Sequence, residues 1–176
     1  MAHQEQFDFV NSVKQKFTNN FINAKVLEVG SLNLNGTVRQ SFENCEYIGL
    51  DLGEGPAVDV VCEGQNYDAP DNHFDTTISC ECFEHNPYWV ETFKNMIRMT
   101  KSGGLVVMTC ATTSRAEHGT ARTSPEASPL SVGKGWDYYM NLTQEDFESN
   151  IDLSNSFSSY EFSTVNQDLY LWGIKR

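Results

Sequence analysis

The 176-residue sequence predicts one α/β domain, with a mostly parallel sheet covered by helices on both faces. Three observations carry this. Short apolar runs, each bounded by turn residues, recur through the first two thirds of the chain. Segments with three- and four-residue apolar spacing flank or separate several of them. The two runs nearest the C-terminus, Tyr160 to Val165 and Asp168 to Lys175, are joined only by Asn166-Gln167, a spacing that suits an antiparallel hairpin.

In chain order, Phe7, Val10, Val13 and Phe17 fall three or four apart and predict an amphipathic helix over residues 4–20. Ala24 to Gly30 (AKVLEVG) reads as a buried first strand, and Gly36 to Phe42 as a short helix. Glu46 to Asp51 (EYIGLD) is the second strand and Ala57 to Cys62 the third extended segment. Residues 63–73 are polar and contain Pro70 and Asn72, hence a loop. Phe74 to Glu81 is the fourth strand. Pro87 suits the first turn of a helix whose buried face is Trp89, Phe93, Met96, Ile97 and Thr100, with Gly103 placed to stop it. Leu105 to Cys110 (LVVMTC) is the fifth strand and the most apolar. Residues 111–142 have no clear period. Thr143-Gln144-Glu145-Asp146 resembles a capping box with Asp in the Glu/Gln place, and opens a short helix before the terminal hairpin. No linker or internal repeat divides the chain, so residues 1–176 read as one domain.

Composition narrows the function. Lys and Arg number 12 against 24 Asp and Glu, a net charge of −12. This argues against nucleic acid or an anionic membrane as the main partner, because both demand a positive footprint. The five cysteines are odd in number, and Cys80-Glu81-Cys82 is too tight for a zinc pair. Reduced buried thiols are expected and no metal site is evident. The N-terminal residues lack a basic start with a long apolar stretch, and no run is long enough to span a membrane. The expectation is a cytoplasmic protein.

The chemistry concentrates after the first two strands. Gly30 ends the first strand, where the absence of a Cβ lets a ligand approach the backbone. Asp51 ends the second, at about the 20-residue spacing at which a carboxylate accepts hydrogen bonds from ribose hydroxyls.

VLEVGS, YIGLD, FDTTISCECFEH and MIRMTKSGGLVVMT together make residues 24–112 resemble the class I S-adenosylmethionine-dependent methyltransferases. The resemblance implies a Rossmann-like seven-stranded sheet of order 3-2-1-4-5-7-6, with strand 7 antiparallel. It implies S-adenosylmethionine as cofactor and methyl transfer to an O or N nucleophile of a small-molecule acceptor. It places Glu28 and Gly30 by the methionine moiety and Asp51 by the ribose, and counts Ser31 and Leu52 among the cofactor-binding residues. Ser79, Cys80 and Glu81 would line the transfer site, and Glu63 would meet the adenine amino group. A non-catalytic binding module of the same fold is the alternative. A nucleotide-dependent dehydrogenase ranks lowest, since the Gly-x-Gly-x-x-Gly fingerprint is absent.

The sequence departs from that family in three places. Ser31, Asn33 and Asn35 stand in a loop commonly rich in glycine, although Asn tolerates left-handed geometry. Ser102 stands where proline is frequent. Only residues 52–56 separate strands two and three, too few for a helical crossover, so residues 57–62 are expected to form a reduced edge segment. Adenine then meets either Glu63 or the Val60/Val61 side chains.

Glu81, Glu84 and His85 match the family's Glu-x-x-Glu-His ending of strand four, with His85 serving substrate or helix capping. Asn86-Pro87-Tyr88 also resembles a motif of nucleic-acid amino methyltransferases, but lacks one proline and sits in an acidic chain. Residues 112–141 follow strand five at the ligand edge, and form either a substrate-binding lid or a surface loop. As a lid, they offer Arg115 and Arg122 as anion clamps, Tyr138 and Tyr139 as substrate contacts, and His118 as general base.

Overall fold

The computed structural model describes residues 4–176. Seven strands form one sheet: β1 Lys25–Val29, β2 Glu46–Asp51, β3 Val60–Val61, β4 Phe74–Cys80, β5 Thr100–Ala111, β6 Phe157–Val165 and β7 Asp168–Lys175. Their spatial order is β3-β2-β1-β4-β5-β7-β6. β1 to β5 pair in parallel, and β7 runs antiparallel to both β5 and β6. The order, the antiparallel seventh strand and the reduced third strand all agree with the sequence reading.

The helices are α1 Gln4–Lys16, α2 Trp89–Met99, α3 Pro129–Gly133, α4 Gln144–Asn150 and α5 Leu153–Ser156. Alternation along the strands divides the core in two. Leu27, Val29, Val106 and Met108 pack with Phe93, Met96 and Met99 of α2. Val26, Ile78, Leu105 and Val107 point the other way, to Val10 and Val13 of α1. Because β5 lies between two strands and is covered on both faces, its apolar run is continuous rather than alternating.

Several boundaries differ from the sequence expectation. α1 stops at Lys16 and a separate 3-10 turn spans Thr18–Asn20. The expected helix at 36–42 is a 3-10 turn, Val38–Ser41. Pro87 precedes α2 rather than forming its first turn, and Gly103 does not end that helix. α2 gives way directly to β5 at Thr100, whose hydroxyl donates to the Met96 carbonyl at 2.8 Å and pairs with Thr77 at 2.9 Å. Residues 101–104 then bulge from the ladder, since Phe74 pairs Thr100 whereas Thr76 pairs Leu105. The strand-favouring register of Thr100 outweighs the glycine signal.

At the C-terminal part of the chain the capping box is present. The Thr143 amide donates to Asp146 Oδ2 at 2.8 Å, and the Asp146 amide to Thr143 Oγ1 at 3.3 Å. The β6–β7 turn contains Asn166 at φ +55°.

Candidate functional site

β1 and β2 end side by side, Val29 opposite Leu50. The chain leaves β1 through Gly30 at φ +81°. A Cβ there would lie 2.6 Å from the Cβ of Cys82, so glycine is required by conformation and by space. The amides of Gly30 and Ser31 both donate to the Leu50 carbonyl, at 2.8 and 3.1 Å. Asp51 is fixed from two sides: the Leu32 amide donates to Oδ2 at 2.8 Å and the Leu52 amide to Oδ1 at 2.7 Å. Burial pushes the Asp51 carboxyl above its ordinary range, and these two amides oppose the shift.

Gly30 and Asp51 border one cleft of about 930 Å³, counted with the open solvent at its mouth. Glu28, Ser31 and Leu52 line it from the β1–β2 side, and Cys80, Glu81 and Cys82 from the end of β4. Cys62 and Gly64 close one end. Residues 127–131 and Trp136 form the roof. The cleft thus lies at the C-terminal edge of the parallel strands, where α/β sheets bind ligands.

The floor is electrostatically unusual. Glu28 is buried on the α1 face, and its Oε2 accepts a 2.8 Å hydrogen bond from the Tyr47 hydroxyl. Desolvation raises its pKa from 4.5 to about 8, with Tyr47 opposing. Glu81 has φ +51° and its Oε1 accepts from Thr109 Oγ1 at 2.9 Å. Thr109 in turn accepts from Gln6 Nε2 of α1 at 3.1 Å.

A family model described as a methyltransferase domain matches residues 27–108, the span from β1 into β5 that builds most of this cleft. That match and the β3-β2-β1-β4-β5-β7-β6 strand order support the likeness to the class I S-adenosylmethionine-dependent methyltransferases that the sequence carries. Among similar solved structures is the CurJ carbon methyltransferase, 16% identical at a TM-score of 0.64, covering 95% of this chain and 53% of that one. A Burkholderia thailandensis 1,6-didemethyltoxoflavin-N1-methyltransferase, solved with 1,6-didemethyltoxoflavin and S-adenosylhomocysteine, is 12% identical at a TM-score of 0.61, covering 99% and 91%. A Haemonchus contortus phosphoethanolamine N-methyltransferase 2, solved with phosphomonomethylethanolamine and S-adenosylhomocysteine, is 20% identical at a TM-score of 0.62, covering 89% and 38%. At these identities the likeness is one of fold. The chain spans about half the length of the CurJ enzyme. No curated protein sequence matches it.

Not every residue singled out from the sequence reaches the cleft. Ser79 is wholly buried inside β4 and off the lining. Glu63 turns away to Lys134 at 2.9 Å and accepts from Gln65 and Asn66, so its carboxylate is committed to a clasp between the sheet edge and the roof segment. Val60 packs into the core and Val61 is exposed, and neither lines the cleft.

The expected anion clamps are already paired. Arg115 meets the buried Asp168 at 3.0 Å, and Arg122 meets Glu117 at 2.9 Å and Asp137 at 2.8 Å. Each guanidinium thus already has an internal carboxylate partner. The Tyr138 hydroxyl donates to Met140 sulfur at 3.3 Å.

His85, His118 and Tyr139 come together outside the cleft lining. The imidazoles meet edge-on with centroids 5.0 Å apart, and Tyr139 packs on both. Burial, then the neighbouring His118, lowers the His85 pKa to about 3. Burial also lowers that of His118, opposed by its bond to the Ala116 carbonyl. Neighbouring Glu84 is fully buried, and its carboxyl is pushed well up by burial and then by Glu81. Asn86 lines the cleft, but Nδ2 donates to Thr92 and Oδ1 accepts from the Tyr88 amide. Its amide is thus used within the turn, unlike a group kept for a nucleobase.

Sequence reasoning missed Gln6, Cys82 and Leu130. Gln6 left a trace: it stands on the apolar Val10–Val13 stripe of α1, where a polar residue signals a buried partner. Leu130 packs over Gly53 through chain reversals that no local pattern specifies.

Proposed function

We propose that the chain binds S-adenosylmethionine in the Gly30–Asp51 cleft and transfers its methyl group to an O or N nucleophile of a small-molecule acceptor by in-line displacement. The observation that carries this reading is the cleft itself: a glycine with no room for a Cβ and a carboxylate preset by two amides, on one wall. The relatives solved with S-adenosylhomocysteine support the choice of cofactor. The cofactor supplies an electrophilic methyl group on a sulfonium.

The chain supplies position and shelter. Asp51 retains acceptor capacity beyond its two amides, enough to receive ribose hydroxyls. Gly30 lets the backbone come close to the ligand. Cys80, Glu81 and Cys82 form the wall facing the acceptor. The roof from Ala127 to Trp136 excludes water and holds the acceptor against that wall. The Gln6–Thr109–Glu81 hydrogen bonds hold Glu81 in its left-handed conformation. The relatives' small-molecule substrates agree with an acceptor of that class.

Calorimetry with S-adenosylmethionine, S-adenosylhomocysteine and NAD, followed by methyl transfer to a panel of small O and N acceptors, tests the proposal. Binding of the first two and turnover with a panel member is the expected result. Preference for NAD overturns it, and binding without any turnover turns the reading to a binding module.

A further inference from the structure

We propose that Glu84, His85 and His118 form a binding site for a divalent transition-metal ion of the zinc class. One potential ligand atom from each lies within 4.8 Å of the other two. Glu84 and His85 sit on the 3-10 turn Phe83–His85 that follows β4, and His118 comes from the segment between β5 and α3. The site therefore joins two parts of the chain that are distant in sequence, which is why residue spacing gave no sign of it.

Two independent features point to a ligand. First, both carboxylate oxygens of Glu84 and Nδ1 of His85 are buried without a hydrogen-bond partner. Glu84 is 0% exposed and His85 4%. Buried polar atoms are nearly always satisfied, and an unpaired buried carboxylate is costly, so three orphans at one point call for a shared partner. Second, His118 is oriented as metal-bound histidines are. Its Nδ1 lies 3.0 Å from the Ala116 carbonyl. A carbonyl only accepts, so Nδ1 carries the proton and Nε2 keeps its lone pair for a ligand.

Two imidazoles and one carboxylate are a donor set that zinc takes in open, three-ligand sites. Tetrahedral zinc with bonds of roughly 2.0–2.2 Å would draw the three donors together by about an ångström. The surroundings suit a small ion. A Cβ on Gly119 would lie 2.6 Å from Cε1 of His85, so the backbone crosses directly over that ring. Tyr139 packs on both imidazoles, and its own hydroxyl is buried without a partner. The ion would tie the β4 turn to the segment between β5 and α3, and its binding does not depend on the methyl-transfer reading.

The test is titration of the full-length protein, stripped with a chelator, with zinc and cobalt(II) by calorimetry and visible absorption. We expect one zinc ion per chain and a cobalt spectrum of a four- or five-coordinate site. His118→Ala and Glu84→Gln should each weaken zinc by about tenfold or more. His73→Ala, whose ring packs on Phe74, should leave it unchanged. Circular dichroism checks that each variant folds, and the wild-type stoichiometry stands by itself if one does not. No stoichiometric zinc on the wild-type chain overturns the proposal, leaving a protonated Glu84 or a buried water as the partner. So does zinc affinity unchanged in both ligand variants, or lost equally in His73→Ala.

Discussion

Asp51 and Leu32 are joined by a 2.8 Å hydrogen bond, the Leu32 amide donating to the carboxylate at the end of β2. The bond ties the loop after β1 to the neighbouring strand, so the carboxylate and the glycine turn hold one geometry before any ligand arrives. Asp51→Ala should weaken S-adenosylmethionine by about 1–3 kcal/mol, the scale of hydrogen bonds to a charged group. Calorimetry measures it, and an unchanged dissociation constant removes Asp51 from the site.

Gly30→Ala meets two obstacles, a left-handed backbone and a 2.6 Å approach to Cys82. The expected loss of stability is about 1–3 kcal/mol, the cost of a strained backbone position. Urea denaturation reads it, and a midpoint equal to wild type contradicts the geometry.

Glu28 gives stability a pH dependence of defined sign. Its folded pKa is raised from 4.5 to about 8 by burial. Below 4.5 the carboxyl is protonated in both states and carries no penalty. Between 4.5 and 8 the unfolded chain releases the proton while the folded chain holds it, so stability falls as pH rises, by on the order of 1 kcal/mol per unit. Glu28→Gln should flatten that slope. An equally steep decline in the variant, in denaturation curves taken across this window, refutes the assignment.

The Glu63–Lys134 pair joins the sheet edge to the roof at 2.9 Å, with both side chains partly exposed. Glu63→Gln should cost less than about 1 kcal/mol of stability, as surface pairs do. It should also speed proteolysis within residues 112–141. A cleavage rate unaffected by the substitution shows that the clasp does not restrain the roof.

Thr143→Ala removes the side-chain oxygen of the capping box at the start of α4. A loss of about 1 kcal/mol is expected in thermal or chemical unfolding. No loss means that packing of Phe147 alone sets the helix start.

The sheet was legible because its signals are local. Runs such as VLEVG and LVVMTC need no partner to be recognised, and the 143–146 box declares a helix start by itself. Gly103 misled because a glycine after a helical stretch serves equally well in a β-bulge, and only the pairing of Thr100 with Phe74 decides between them. Gly30 and Asp51 were readable because each ends a strand, and strand ends in a parallel sheet share one edge.

The sequence alone determined the strand order's signature, the reduced third strand and the cleft's two anchoring residues. Tertiary structure decided which partners the charged and histidine side chains take: Arg115 and Arg122 turn to internal carboxylates, Glu63 to Lys134, and His118 to Glu84 and His85. The physical reason is range. Periodicity and turn chemistry act over a few residues, whereas charge pairing and burial act between whatever groups folding brings into contact.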